Sequence, residues 1–206
     1  MIYLIGGAPR CGKTILSKRI AAKRKISWIS TDTIESMVLA CTPKRLINKK
    51  FPYQKLQFEK NGIPYNDMLS HSSATLLRAE ITESKTLWPS TRAMIEHLIE
   101  CKQDGIIEGV HLMPALVEQL RGTRYWKHIK VVYLVKESKE AILDGFRRNT
   151  SPYDWLAGAL KNSIVLDKAA DMVLSKSAYI AGQAKKLHFK VVAMDYDFEK
   201  KISAHT

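Results

Sequence analysis

An α/β three-layer sandwich built on a parallel sheet is the fold class that this sequence predicts, on three observations. Short apolar strand patterns recur at 1–5, 26–30, 105–111, 129–135 and 189–194, with helical patterns between them. The first of these runs straight into a glycine-bracketed loop and then a helix. The fourth, IKVVYLV, is apolar almost throughout, as expected of a strand covered on both faces. Strand and helix alternating in this way place helices on both sides of a parallel sheet.

The loop after the first strand reads Gly7-Ala8-Pro9-Arg10-Cys11-Gly12-Lys13-Thr14 and matches G-x-x-x-x-G-K-[ST], the phosphate-binding P-loop. The spacing has a chemical reason. Gly7 and Gly12 let the backbone turn tightly, so that successive N–H groups form an anion-binding nest. Lys13 reaches the β- and γ-phosphates as a mobile charge, and the Thr14 hydroxyl is placed to ligate Mg2+. The following helix, 13–25, adds its positive dipole end and carries Ile15, Leu16 and Ile20 on one side. The four fixed positions recur by chance in roughly 1% of chains of this length, and a chance match seldom falls between a strand and a helix. Nucleotide binding is therefore the first functional expectation.

Composition narrows the classes. At 206 residues, 46% apolar and 26% charged, the chain suits one globular domain spanning 1–206. No apolar run approaches about 18 residues, and no charged leader precedes the first strand, so neither a membrane span nor a signal peptide is expected. Cys11, Cys41 and Cys101 are odd in number and lack a C-x-x-C, which reads as reduced thiols in a cytoplasmic protein. The net charge of +13 favours acidic partners: nucleotides, phosphorylated metabolites or nucleic acid.

Asp32 follows the second strand and precedes Glu35 by three residues, a capping-box spacing. It is either a helix N-cap or, at the carboxyl end of a strand beside the P-loop, a group that orients an acceptor hydroxyl and takes its proton. Residues 42–70 read as a long, irregular insertion in which Lys44, Arg45, Lys49, Lys50, Lys55 and Lys60 alternate with Phe51, Tyr53, Phe58 and Tyr65. That interleaving suits an anionic substrate or a single nucleic-acid strand, or else is a solvated loop. A helical pattern follows over 67–85, and Pro89 is expected to start a second helix that stops before Gly105. The strand at 105–111 carries Glu108, the best candidate to complete a Mg2+ site through water. His111, at the same strand end, is read either as a substrate contact or as a packed or surface histidine.

A short helix at 114–120 precedes the fourth strand, and a helix at 138–148 ends on Arg147-Arg148. The two arginines either answer the helix dipole or clamp a migrating phosphoryl group. Residues 153–187 are expected to be mostly helical, with a break near Gly158 or around 174–177. The tail after the last strand is expected to fray.

Three stretches carry a resemblance: GAPRCGKT at 7–14, STD at 30–32 and IIEGVHLMP at 106–114. The chain resembles the small-molecule kinases of the nucleoside monophosphate kinase-like P-loop group. That group includes shikimate and gluconate kinases, chloramphenicol phosphotransferase, zeta-toxin-like kinases and 2-phosphoglycerate kinase. Arg10-Cys11 departs from the small residues many relatives carry there. The resemblance implies a five-stranded P-loop NTPase sheet of order 2-3-1-4-5, a substrate-binding insertion at about 42–85 and an arginine-bearing lid at about 145–160.

The function expected is ATP- and Mg2+-dependent phosphoryl transfer to a hydroxyl of a small, anionic metabolite, 2-phosphoglycerate kinase-like or sugar-acid kinase-like. Lys13 and the loop amides would hold the phosphates, Thr14 and Glu108 the metal, Asp32 the acceptor, and Arg147 or Arg148 the migrating group. A nucleoside or nucleotide kinase is one alternative; a nucleic-acid-binding protein or polynucleotide 5′-hydroxyl kinase is another. Cys11, near Lys13 at a helix N-terminus, is expected to be the most acidic and reactive of the three thiols, with Cys41 and Cys101 packed.

Overall fold

Alternation along the strands decides the layers. In β1, Ile2–Gly7, the side chains of Ile2 and Leu4 enter one core and Ile5 the opposite one. The same division recurs at Ile106 and Ile107 in β3, Gly105–Gly109, and at Leu134 and Val135 in β4, Ile129–Val135. With both faces apolar, the sheet must be covered twice. Helix α1, Lys13–Arg24, covers the first face through Leu16 and Ile20. The second face receives Trp88 and Ile95 from the long helix α5, Ser73–Glu100.

A computed structural model describes residues 1–57, 70–148 and 163–205. Strands β2, Ser27–Ser30, and β5, Lys190–Ala193, complete a five-stranded sheet of order β2-β3-β1-β4-β5, all pairings being parallel. This is the order expected. The strand order reverses at β1, which lies between β3 and β4, so the crevice beyond its carboxyl end is where ligands of open α/β sheets bind.

Several element boundaries differ from expectation. After α2, Thr31–Ala40, the stretch read as irregular contains α3, Lys44–Lys50, and α4, Pro52–Gln57. Positions 58–69 of the expected insertion lie outside the described residues. Pro89 starts no helix: α5 is continuous for 28 residues with Pro89 inside it. The buried stripe Leu76, Glu80, Glu83, Leu87, Thr91 and Ile95 runs past the proline at three- and four-residue spacing, while Pro89 itself faces solvent. Packing along that stripe offsets a missing backbone hydrogen bond.

Beyond the short helix α6, Pro114–Val117, and β4 comes α7, Lys139–Arg148, which buries Ile142 and Phe146. Helix α8, Ser163–Lys186, is unbroken at 174–177, and the expected break at Gly158 lies outside the described residues. The tail does not fray. It forms α9, Phe198–His205, whose Ile202 joins the core under α1.

Candidate active site

The P-loop is shaped by two left-handed residues, Arg10 at φ 60° and Gly12 at φ 88°. Gly12 is the N-cap of α1, supplies no side-chain acceptor, and no acidic residue follows in the first turn. The leading amides of α1 therefore have no side-chain cap, which leaves the positive helix end for an anion. A Cβ at Gly12 would lie 2.5 Å from a ring carbon of Phe198, so α9 packs directly beneath the loop. Lys13 is buried, and its Nζ donates to the Ala8 carbonyl at 2.7 Å.

The Thr14 hydroxyl donates to Glu108 Oε1 at 3.0 Å. Glu108 is the penultimate residue of β3, in register with Ile5 of β1 and Ser30 of β2, so three strands fix its position. Burial pushes its carboxyl above the usual range, and the Lys13 charge and the Thr14 hydroxyl pull it partly back. Next to it, Gly109 has φ 154°, and a Cβ there would overlap the Thr31 hydroxyl at 1.7 Å. Only glycine admits the start of α2 so close to the end of β3. That contact sets Asp32 beside Glu108, near enough for its charge to raise the Glu108 pKa.

Asp32 is not the N-cap. Ser30 holds that place, its hydroxyl accepting from the Asp32 amide at 3.2 Å. Nor does the capping box form, because Glu35 Oε1 accepts instead from Gln54 Nε2 at 3.1 Å. The Asp32 carboxylate is thus left to line the cleft. His111 is a packed histidine: it is buried, with Nδ1 3.2 Å from the Thr31 hydroxyl, and burial drives its pKa down to about 3, so it stays neutral.

Lys13, Thr14, Glu108 and Asp32 face a cleft of about 1240 Å3 that Asp32, Glu80 and Tyr53 line on one side and α7 with the β5–α9 loop on the other; Glu35 and His111 lie behind Asp32 and are not part of the cleft lining. Arg148 lines it and Arg147 does not; both pair with Asp144, at 3.8 and 3.4 Å. Positions 149–160 of the expected lid lie outside the described residues. The Arg10 guanidinium stacks over Phe146 at 4.9 Å, and Lys136 Nζ donates to the Ala141 carbonyl at 2.9 Å. Asp195 Oδ1 accepts from the Glu137 and Ser138 amides at 2.9 and 2.8 Å, tying the end of β4 to that of β5. Tyr196 stands beside it, 70% exposed in the cleft wall.

Lys136, Asp195 and Tyr196 were missed from sequence, although each lies just beyond an apolar strand, where the carboxyl-end rule points. Tyr53 and Glu80 carry no such signal; helix packing alone brings them in.

The expected acidity of Cys11 is overturned. Its side chain is fully buried, with Sγ 3.6 Å from the Pro9 carbonyl, and burial pushes the thiol up by more than Lys13 and Lys136 lower it. Cys41 and Cys101, expected to be packed, are the exposed thiols. What Cys11 can offer a phosphate is its backbone amide.

Two kinases are among the solved structures that share this architecture. Shikimate kinase from Bacteroides thetaiotaomicron superposes with a TM-score of 0.51 at 16% identity, over 100% of this chain and 93% of that one. Deoxyadenosine kinase from M. mycoides, solved with bound dATP, gives 0.51 at 15% identity, over 99% of this chain and 96% of that one. The fold is that of the P-loop small-molecule kinases. No protein-family model matches the chain, and no curated protein sequence does. At these identities the likeness is one of fold. Among the described residues, no helix is long and apolar enough to cross a membrane.

Proposed function

We propose that the chain is an ATP- and Mg2+-dependent phosphotransferase acting on a hydroxyl of a small metabolite. One observation supports this above the others: Lys13, Thr14, Glu108 and Asp32 converge at one end of a single cleft. The residues suit the metal. The Thr14 hydroxyl and the Glu108 carboxylate are hard oxygen donors 3.0 Å apart, the chemistry Mg2+ selects, and Glu108 is a buried acid whose charge a cation would offset. Held there, Mg2+ would neutralise charge on the β- and γ-phosphates.

The chain's own groups supply positioning and charge. The amides of 7–14 and Lys13 bind the donor's phosphates, Lys13 exchanging its contact with the Ala8 carbonyl for phosphate oxygen. Asp32, free of capping duty, accepts a hydrogen bond from the acceptor hydroxyl and takes its proton as the new O–P bond forms. Arg148, on the cleft wall, is better placed than Arg147 to meet the migrating phosphoryl group. The sugar-acid and 2-phosphoglycerate readings, the nucleoside reading and the polynucleotide reading differ only in what occupies the Asp32 side of the cleft. The anionic acceptor expected from net charge has no support in the described lining there, which is acidic.

The test is Mg2+-dependent transfer of labelled γ-phosphate across sugars, sugar acids, amino alcohols, nucleosides and 5′-hydroxyl oligonucleotides, with Lys13→Ala as the blank. Lys13→Ala should fold normally and lose most turnover. Equal turnover in that variant, or no Mg-ATP binding by the wild type, sinks the reading.

A further inference from the structure

The cleft lining is acidic, which net charge does not predict: Glu140, Asp144, Asp195, Asp197 and Glu199 line it from the α7 and β5–α9 side and Glu108 from β3. Of the described cations lining it, Arg10 and Lys13 belong to the P-loop, and Lys136 and Arg148 to the β4–α7 side. The β2–α2–α5 side contributes Asp32 and Glu80. Behind them stand Glu35 and the fully buried Glu83, whose carboxyls burial pushes above the usual range, that of Glu83 to about 8. On this side the buried Lys176 is already bound to Glu80. An anionic acceptor would meet carboxylates on this side, while the four described cations that line the cleft stand on the P-loop and the β4–α7 side.

The carboxylates are held in place. Gln54 donates its side-chain amide to Glu35 at 3.1 Å and its backbone amide to Glu83 at 2.9 Å. Glu83 Oε2, buried and beside Glu35 and Glu80, has no hydrogen-bond partner. An acceptor oxygen of Asp32, one of Glu35 and a ring nitrogen of His111 all lie within 4.8 Å of one another. The carboxylates accept, and so does His111 Nε2 in the tautomer whose Nδ1–H donates to the Thr31 hydroxyl, so a guest between them is a donor.

Resting on the phosphotransferase reading, we propose that the acceptor is an amino alcohol, a small molecule whose primary ammonium sits among Asp32, Glu35 and His111 while its hydroxyl is phosphorylated. An ammonium fits the spacing. Three acceptors about 2.8 Å from a tetrahedral nitrogen lie about 4.6 Å apart, inside that 4.8 Å limit. Asp32 has two oxygens, one for the ammonium and one for the hydroxyl proton. The ammonium then fixes which hydroxyl faces the P-loop.

The experiment uses three matched series with ATP and Mg2+: glucosamine, glucose and gluconate; serinol, glycerol and glycerate; streptamine, inositol and quinate. Transfer, and thermal stabilisation in the presence of a non-hydrolysable ATP analogue, should be confined to amine-bearing members. N-acetylation of the accepted amine should raise KM by about 10-fold or more. Glu35→Gln, outside the catalytic set, should raise the acceptor KM by about 10–100-fold, leaving kcat and the ATP KM nearly unchanged. A neutral or anionic member used as well or better overturns the amine and leaves the phosphotransferase standing. So does an acceptor KM unmoved in Glu35→Gln, or binding of no amine while the nucleotide analogue still binds. A second Mn2+ site lost in Glu35→Gln would make the cluster a metal centre and also overturn it. Failure to bind Mg-ATP at all would instead remove the reading beneath.

Discussion

At residues 30–32, two jobs that an aspartate can do are divided between neighbours. Ser30 caps α2, which frees Asp32 for the cleft. Asp32→Asn should therefore leave stability almost unchanged while lowering kcat by roughly 10²–10⁴-fold. Ser30→Ala should do the reverse, costing about 1 kcal/mol with kcat near normal. Urea melts and steady-state kinetics on the two variants separate the roles, and a swapped outcome would return Asp32 to the cap. From sequence the two meanings were inseparable, because serine and aspartate cap equally well and Ser30 stands only two residues away. Glu108 and Lys13 were legible because a strand pattern and a loop motif fix their surroundings. Glu35 and Glu83 were not, because what burial and Gln54 do to them is tertiary.

Glu83 makes that tertiary effect measurable. Burial raises its pKa to about 8 from an ordinary 4.5. A folded value above the unfolded one means stability that is fully present below about pH 4.5 and is lost as pH rises through 8. His111, lowered to about 3 from 6.5, works the other way, losing stability as pH falls from 6.5 toward 3. Glu83→Gln keeps an acceptor for the Gln54 amide and removes the titration. Relative to that variant, the wild type should lose on the order of a few kcal/mol between pH 5 and 8. Parallel stability curves would show Glu83 ionised in the folded protein.

Among the elements, α5 departs furthest from local signals. A proline at position 89 reads as a helix start, yet the buried stripe on either side of it is one surface. The sheet was legible because buried parallel strands are apolar runs with little ambiguity, and the order was implied by the resemblance. The helices of the insertion and the C-terminal helix were not, since α3 and α4 are short and α9 is held largely by Phe198 and Ile202. Pro89 removes one backbone donor and crowds the carbonyl of Lys85. Because it faces solvent, Pro89→Ala should stabilise the chain by about 1–3 kcal/mol, read as a higher Tm. A lower Tm would mean that the helix needs a bend there to seat Glu80 and Glu83.

For the molecule as a whole, the charge of +13 and the acidic acceptor end point in different directions. The resolution is spatial. Lys44, Arg45, Lys49 and Lys50 of α3 are exposed, and none of them lines the cleft. Lys23 and Arg24, at the far end of α1 from the P-loop, are exposed too. A surface of this kind attracts any polyanion by counterion release, without reading it. Single-stranded oligonucleotides should therefore bind weakly, and affinity should fall steeply with salt. Replacing the four α3 cations with glutamine should flatten the slope of log K against log salt by up to about 3, at about 0.7 for each phosphate no longer neutralised. The same variant should keep its kcat and ATP KM, because those residues lie outside the cleft. A 5′-hydroxyl oligonucleotide should not be phosphorylated, since its phosphates would have to enter beside Asp32 and Glu80. Phosphorylation of that end, with turnover lost in the α3 variant, would make the basic surface part of the active site and the chain a polynucleotide kinase.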